Sequence, residues 1–330
     1  MKKKTLLALS LAWVLVQAAA ALSAEKSLRV SFAAPATTYL PLWAAKDAGF
    51  FDKHKLTVEL VHIGSSPIAV SALLAGETDI LGGGGTVGPT LYLQGNRDLA
   101  FFARLNNKFV FAIYAHPSIT DVAGLRGKKF GVTRFGGTMD FATRYFLRNS
   151  GLDPRKDLYL IQIGQVPDIL RALLSGSIDA GTVSFPHHIV AKKEGFREIT
   201  NLSKSGTRYA STAFLAKRSF LLNNKPGMEN FIKAVTEAIH YVKTNRNESL
   251  RILSRYTRIT DMDVLGQDYD FHVENIWPRV PEIVPEDLKL IIEELAERNP
   301  RAREIDLSQL IYGDLVKEVV KSGLADRLYK

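Results

Sequence analysis

Four consecutive glycines, Gly82 to Gly85, follow the strand-like run Asp79-Ile-Leu81 and lead into Thr86, where a helical pattern begins. Glycine loses more backbone freedom on folding than any other residue, so four in a row need a reason. One reason is chemical. Bare backbone lets a ligand reach main-chain N–H groups, and a helix start adds unpaired N–H groups and the positive end of the helix dipole. The combination recurs: Thr37 and Thr38 precede one helical pattern, Ser65 and Ser66 a second, and Gly136, Gly137 and Thr138 a third. Together with Gly84, Gly85 and Thr86, these starts form a set of N–H and hydroxyl donors suited to an oxyanion such as a carboxylate, sulfonate, phosphonate or nitrate. Ser and Thr also serve as ordinary helix caps, and residue by residue the sequence leaves that reading open.

Arg134 stands just after the strand pattern Phe130-Gly-Val132, where its guanidinium can fork onto an anion or pair on the surface. Arg104 and Asn106 fall where the floor of a cleft is expected. Ser184 and Phe185 occupy the place in the second half of the chain that Gly84 and Thr86 occupy in the first. Tyr39 and Phe135 are candidate apolar walls, with core packing as the alternative for each.

Other chemistries find less support. Gly83-x-Gly85-x-x-Gly88 matches a dinucleotide fingerprint, but it lies in the third strand–helix unit, Pro89 disturbs the helix, and no acidic residue ends the next strand. No Gly-Lys-Ser/Thr follows the glycines, so a phosphate-binding P-loop is absent. His187 and His188 are adjacent and point about 100° apart on a helix, which disfavours a shared metal ion. There is no Gly-x-Ser-x-Gly elbow of a serine hydrolase. With no cysteine, the chain has no disulfide, no thiolate nucleophile and no lipoprotein anchor. Neither a cofactor nor a metal is expected.

The N-terminus reads as a secretory signal over residues 1–24: Lys2, Lys3 and Lys4, an apolar run from Thr5 to Val16, then small residues to Ala24. No later stretch is apolar enough to span a bilayer. Of 43 basic residues, loss of those three lysines leaves 40 against 34 acidic, a net of +6. The basic residues are scattered, with no Arg/Lys block interleaved with aromatics, so nucleic acid is not an expected partner.

The elements that must position these residues alternate. Strand patterns at Leu28–Phe32, Leu56–Val61, Asp79–Leu81 and Leu99–Phe102 are separated by helical patterns at Thr37–Ala48, Pro67–Ala75 and Thr86–Leu93. The alternation restarts at Phe130–Val132, with helices at 138–147, 166–174 and 186–193 and strands at 158–161 and 178–180. Alternation of this kind predicts mostly parallel sheets covered by helices. "LLAGETDI" (73–80) and "LLSGSIDA" (173–180) repeat one unit 100 residues apart. Phe109–Tyr114 and Tyr209–Leu215 are strong strand patterns at the two places where the chain would cross between halves. The remainder, from Lys225, is helical by periodicity, over Met228–Lys243, Ser249–Tyr256, Pro285–Arg298 and Gly313–Lys321.

"YLPLWAAKDAGFFDKHKLTVELV" (39–61), "LLAGETDILGGGGT" (73–86), "LRGKKFGV" (125–132) and "LLSGSIDAGTVSFP" (173–186) resemble exported solute-binding proteins of the nitrate/sulfonate/taurine type, which serve ATP-driven (ABC) importers. The resemblance spans roughly residues 28 to 245. It implies an α/β, type II periplasmic-binding-protein fold: two α/β lobes joined by two crossover strands, with 25–108 plus 211–330 as lobe I and 109–210 as lobe II. It also implies a periplasmic monomer that binds a small solute between the lobes, delivers it to an ABC permease in the inner membrane, and is not an enzyme. Thiamine-pyrimidine synthases and desulfinases resemble the same fold family, but they depend on cysteine-bearing motifs. A ligand-sensing partner of a membrane receptor is a second alternative. The family usually has Gly where this chain has Lys55, which raises the question of a left-handed turn there.

Overall fold

The computed structural model describes residues 27–64 and 66–330; the expected export signal over 1–24 lies outside them. Among the described residues no helix is long and apolar enough to cross a membrane. The chain opens with β1 (Leu28–Phe32), in which Leu28, Val30 and Phe32 are buried. A single 3-10 turn at Thr37–Tyr39 leads into α1 (Leu40–Asp47), which has a proline in its first turn, where no backbone N–H is needed. Then come α2 (Phe50–Lys53), β2 (Val58–His62), α3 (Ser66–Ala75), β3 (Ile80–Gly83), α4 (Val87–Leu93) and β4 (Leu99–Asn106). The chain crosses through residues 107–110 into β5 (Phe111–Ala115), followed by β6 (Lys129–Val132), α5 (Thr138–Asn149), β7 (Tyr159–Gln162), α6 (Val166–Leu174), β8 (Ala180–Ser184), α7 (His187–Lys193) and β9 (Arg197–Asn201). It returns through residues 205–211 to β10 (Thr212–Lys217). The C-terminal region is helical, with α8 (Arg218–Asn223), α9 (Lys225–Thr244), α10 (Arg246–Thr257), α11 (Met262–Asn275), α12 (Glu286–Ala296) and shorter helices beyond.

Two five-stranded sheets result, ordered β2-β1-β3-β10-β4 and β7-β6-β8-β5-β9. The orders are equivalent strand for strand. In each sheet four strands run one way, and one, β10 or β5, runs antiparallel to them straight after a crossing. All five residues of β5 and of β8 are buried, as expected for strands covered on both faces.

The repeated unit has a definite job. Gly76 (φ 77°) and Gly176 (φ 70°) end α3 and α6 in the left-handed region. The Asp79 carboxylate then accepts the Arg29 N–H at 2.9 Å, and the Asp179 carboxylate accepts the Lys129 N–H at 2.8 Å. In each half, one aspartate therefore fixes the register of β3 on β1, or of β8 on β6.

Besides several short helices, among them α2 and α8, two longer elements escaped the pattern. β9 is an edge strand with a mixed polar sequence, and α11 buries Asp268 and His272 beside its apolar residues, which hides its periodicity. β3 and β8 also run further than expected, into Gly83 and Ser184.

The second sheet's helices touch the first sheet's C-terminal helices at several points. Phe185 stacks on Phe271 at 4.4 Å between centroids, Lys193 pairs with Asp261 at 2.7 Å, and Arg148 pairs with Glu294. His188 lies in this junction, its ring centroid 3.6 Å from that of Phe185.

Lys55 has φ 57°, so the turn before β2 does adopt the left-handed conformation. Its side chain is exposed. Lys55→Gly relieves the Cβ–carbonyl clash and should stabilise the protein by about 1 kcal/mol, read as a higher urea midpoint at unchanged m. Burial pushes the His188 imidazole from its ordinary 6.5 down to about 4, while Asp268 pulls the other way. The unfolded chain then binds a proton that the folded chain refuses, so stability should fall as pH drops from about 6.5 towards 4. Urea midpoints measured across that range should show the slope, and His188→Gln should flatten it.

Candidate functional site

The C-terminal ends of the parallel strands of both sheets point at one gap, where ligands bind in open α/β sheets. The gap holds a cavity of about 150 Å³. Each sheet contributes equivalent residues to it: Ala33 and Thr133 after β1 and β6, Gly64 and Gly164 after β2 and β7, and Gly84 and Ser184 at the ends of β3 and β8. Thr38 and Thr138, Tyr39 and Met139, and Ala34 and Arg134 complete the pairs. Every pair is 100 residues apart, the spacing of the repeated unit. The last pair breaks the symmetry by placing one charge on one side.

Among the described residues, Arg134 is the only charged one lining this cavity, and no carboxylate lines it. Its Nε is buried without a hydrogen-bond partner. The nearby carboxylate, Asp140, is already engaged by Arg144 Nε at 2.7 Å and by the Gly136 N–H at 2.9 Å. α5 begins beside Arg134 with Gly137 as its cap, and no side chain caps it. The N–H groups of Thr138 and Met139 have no acceptor within the described protein. A guanidinium and a free helix start thus converge on one place. The start of α6 is different. Its capping box between Gln165 and Asp168 satisfies its own donors, and the Gln165 side chain reaches across to donate to the Gly64 carbonyl at 3.0 Å.

The opposite wall is neutral and polar. Thr38 Oγ1 accepts from the Asn106 amide at 2.7 Å and lies 3.1 Å from Thr212 Oγ1. Asn106 itself is fully buried behind these two and does not reach the cavity. The Tyr39 hydroxyl donates to the Gly82 carbonyl at 3.1 Å, and burial pushes its pKa up to about 12, so it stays a neutral donor at physiological pH.

The glycine tetrad serves packing more than ligand access. A Cβ on Gly82 would lie 2.8 Å from the Ser31 carbonyl oxygen, and one on Gly85 would lie 2.7 Å from the Ala210 carbonyl oxygen. Gly84 alone of the four reaches the cavity. A Cβ there would sit 1.7 Å from Thr138 Oγ1 and 3.1 Å from Thr138 Cβ, so the two sheets approach closely because this residue has no side chain.

Of the expected site residues, Thr38, Tyr39, Gly84, Arg134, Gly137, Thr138 and Ser184 line the cavity, while Thr86 and Phe135 line an adjoining one. Four lie elsewhere. Thr37 is buried and donates to Asp268. Gly85 packs on Ala210 and donates its N–H to the Ala210 carbonyl at 2.7 Å. Arg104 pairs with the fully buried Asp287 at 2.9 Å. Phe185 stacks in the junction with α11. Ser65 lies outside the described residues; Ser66 opens α3. Sequence reasoning missed Gln165, Ser211 and Thr212. The 100-residue offset from Ser65 would have found Gln165; nothing local marks the other two.

Two α/β sheets facing across a cavity with two chain crossings define a two-lobed binding-protein fold. Residues 23–254 match the NMT1-like family, and the chain belongs to it. It is 24% identical over 287 residues to YtlA of Bacillus subtilis (strain 168), named as a binding protein, covering 85% of this chain and 86% of that one. Among solved structures, it resembles the alkanesulfonate-binding protein SsuA of Xanthomonas axonopodis pv. citri bound to MOPS (TM-score 0.72, 17% identity, 88% of this chain and all of that one). It also resembles the periplasmic nitrate-binding protein NrtA of Synechocystis PCC 6803 (TM-score 0.71, 17% identity, 90% of this chain and 88% of that one). These relatives are binding proteins, not enzymes.

Gly84→Val should hold the sheets apart. The expected result is loss of solute-induced compaction in small-angle scattering, with folding retained by circular dichroism.

Proposed function

We propose that this chain is the exported solute-binding component of an ABC importer, and that it binds a small anion between lobes made of residues 25–108 plus 211–330 and of 109–210. The observation that carries the anion is Arg134: a guanidinium in a cavity without carboxylates, its Nε unpartnered, beside the unsatisfied N–H groups that open α5. A carboxylate, sulfonate or nitrate-like oxyanion supplies both the missing charge and the missing acceptors. The names of the matched relatives, nitrate- and sulfonate-binding among them, support the same class.

Binding and release follow from the geometry. Solute held by Arg134 and α5 on one side, and by Thr38 on the other, contacts both lobes and so favours the closed arrangement. The closed monomer presents the solute to a permease in the inner membrane, and no bond is made or broken. Export through the signal over 1–24 places it in the periplasm.

A thermal-shift series against sulfonates, carboxylates, phosphonates, nitrate and pyrimidines tests the class; a ligand at 100 times its Kd should stabilise the fold by about 2.7 kcal/mol. Arg134→Ala should weaken binding of the anion found by about 2 kcal/mol, roughly thirtyfold in Kd by calorimetry. Equal affinity in the variant would remove the anion from this reading.

A further inference from the structure

His187 and His188 open α7, and the anion site uses neither. They lie where α7 packs on α11, the first in the lobe of residues 109–210 and the second in the other lobe. The Phe185 ring joins the two sides: its centroid is 3.6 Å from that of His188 and 5.5 Å from that of His272. This junction stands directly behind the cavity. Phe185 follows the cavity residue Ser184, and Thr37, which donates to Asp268 of α11, precedes the cavity residue Thr38.

The junction has no place for a charged imidazole. His187 Nδ1, His188 Nδ1 and His272 Nε2 are buried without a hydrogen-bond partner among the described residues. His272 spends its other nitrogen, Nδ1, on the Asp268 carbonyl at 2.9 Å. A neutral ring can leave its bare nitrogen in such a position, whereas a protonated ring puts a charged N–H there with no acceptor. One fully buried carboxylate, Asp268, faces three rings, and among the described residues neither α7 histidine pairs with it. The surrounding groups supply no other acceptor. Tyr114 of β5, 6.5 Å from His188 between ring centroids, donates its hydroxyl to Glu198 at 2.9 Å. Asp168 and Arg171 of α6 pair with each other, and β8 carries no titratable residue. Lys192 and Lys193 of α7 are themselves positive, Lys193 pairing with Asp261 at 2.7 Å, and Asp263, Asp270 and Glu274 lie on the exposed face of α11.

We propose that the α7–α11 junction is a proton-sensitive clasp between the lobes: it closes with its histidines neutral, and acid opens it. The two states differ in proton affinity. In the closed junction burial lowers the pKa of both α7 histidines, that of His188 to about 4, with Asp268 opposing. With the lobes apart, the rings meet water and regain the ordinary value near 6.5. Opening therefore takes up protons, and the open form gains as pH falls from about 6.5 towards 4. The clasp backs onto Ser184 and Thr38, on opposite walls of the cavity, so opening it draws apart the walls that hold the solute. Solute is kept near neutral pH and let go in acid. This inference rests on the reading of two lobes that close on a solute.

Spin labels on the solute-free protein test it. The chain has no cysteine, so Glu194→Cys beside α7 and Glu274→Cys on α11 give two exposed labelling positions, one in each lobe. Distances between nitroxides, read by pulsed electron resonance, should shift from a short to a longer population between pH 7 and pH 5. The long-to-short ratio should rise about twentyfold for one histidine whose pKa moves between about 4 and 6.5. His187→Gln combined with His188→Gln should hold the short distance at both pH values. His188→Phe, which keeps a ring against Phe185, should shrink the rise on its own. Circular dichroism checks that each protein is folded at both pH values. A distance that does not respond to pH in the parent protein, or a response unaltered in both variants, overturns the proposal. If the distance responds while no anion of the thermal-shift series binds, the clasp stands and the anion reading fails; if an anion binds and the distance does not respond, the clasp fails and the anion reading stands.

Discussion

A guanidinium taken partly out of water asks for a counter-charge or, at the least, for acceptors on its N–H groups. Arg134 has neither on its Nε. Asp140, on the first turn of α5, is held by Arg144 and by the Gly136 N–H. The fold therefore keeps an electrostatic demand open at one point on the rim of the second sheet. The neighbouring start of α5 adds to it, because its first N–H groups find neither acceptors nor a capping side chain among the described residues. The other features of the site are arranged around this vacancy of charge. The facing wall is neutral hydroxyls, the buried Tyr39 is kept protonated, and other carboxylates are tied up in ion pairs elsewhere, as Asp287 is by Arg104 and Arg208.

The second constraint is steric. The two sheets come together at Gly84 and Thr138, where a side chain on the first would collide with the hydroxyl of the second. The missing side chain lets the two sheets approach this closely. The remaining glycines of the tetrad work within the first sheet, holding β3 against β1 and the Gly85 backbone against Ala210. A run that looks like one motif is thus two strand residues, one contact between sheets and one packing residue.

The repeat explains how such a site arises from simple parts. Asp79 and Asp179 fix equivalent strand registers, and the loops that follow deliver equivalent residues to the gap from opposite sides. A symmetric cavity has no preference for which lobe holds the charge. The exchange of Ala34 for Arg134 supplies that preference, and the side chains at Thr90, Leu91 and Phe135 extend the asymmetry into the adjoining cavity.

The sequence by itself determined the alternation of strands and helices, the two-fold use of one unit and the glycine and threonine positions at the strand ends. These are local properties: periodicity, capping and backbone conformation are set within a few residues. It did not reveal β9 or α11, whose polar residues blur their periods. Nor did it distinguish Arg104 from Arg134. Both are arginines near strand ends, but Arg104 meets Asp287, 183 residues further along the chain, while Arg134 meets no carboxylate in its cavity. Thr212 likewise enters the site only because the returning strand pairs beside β3. Which charges find partners depends on contacts between distant segments, and only the tertiary structure decides that.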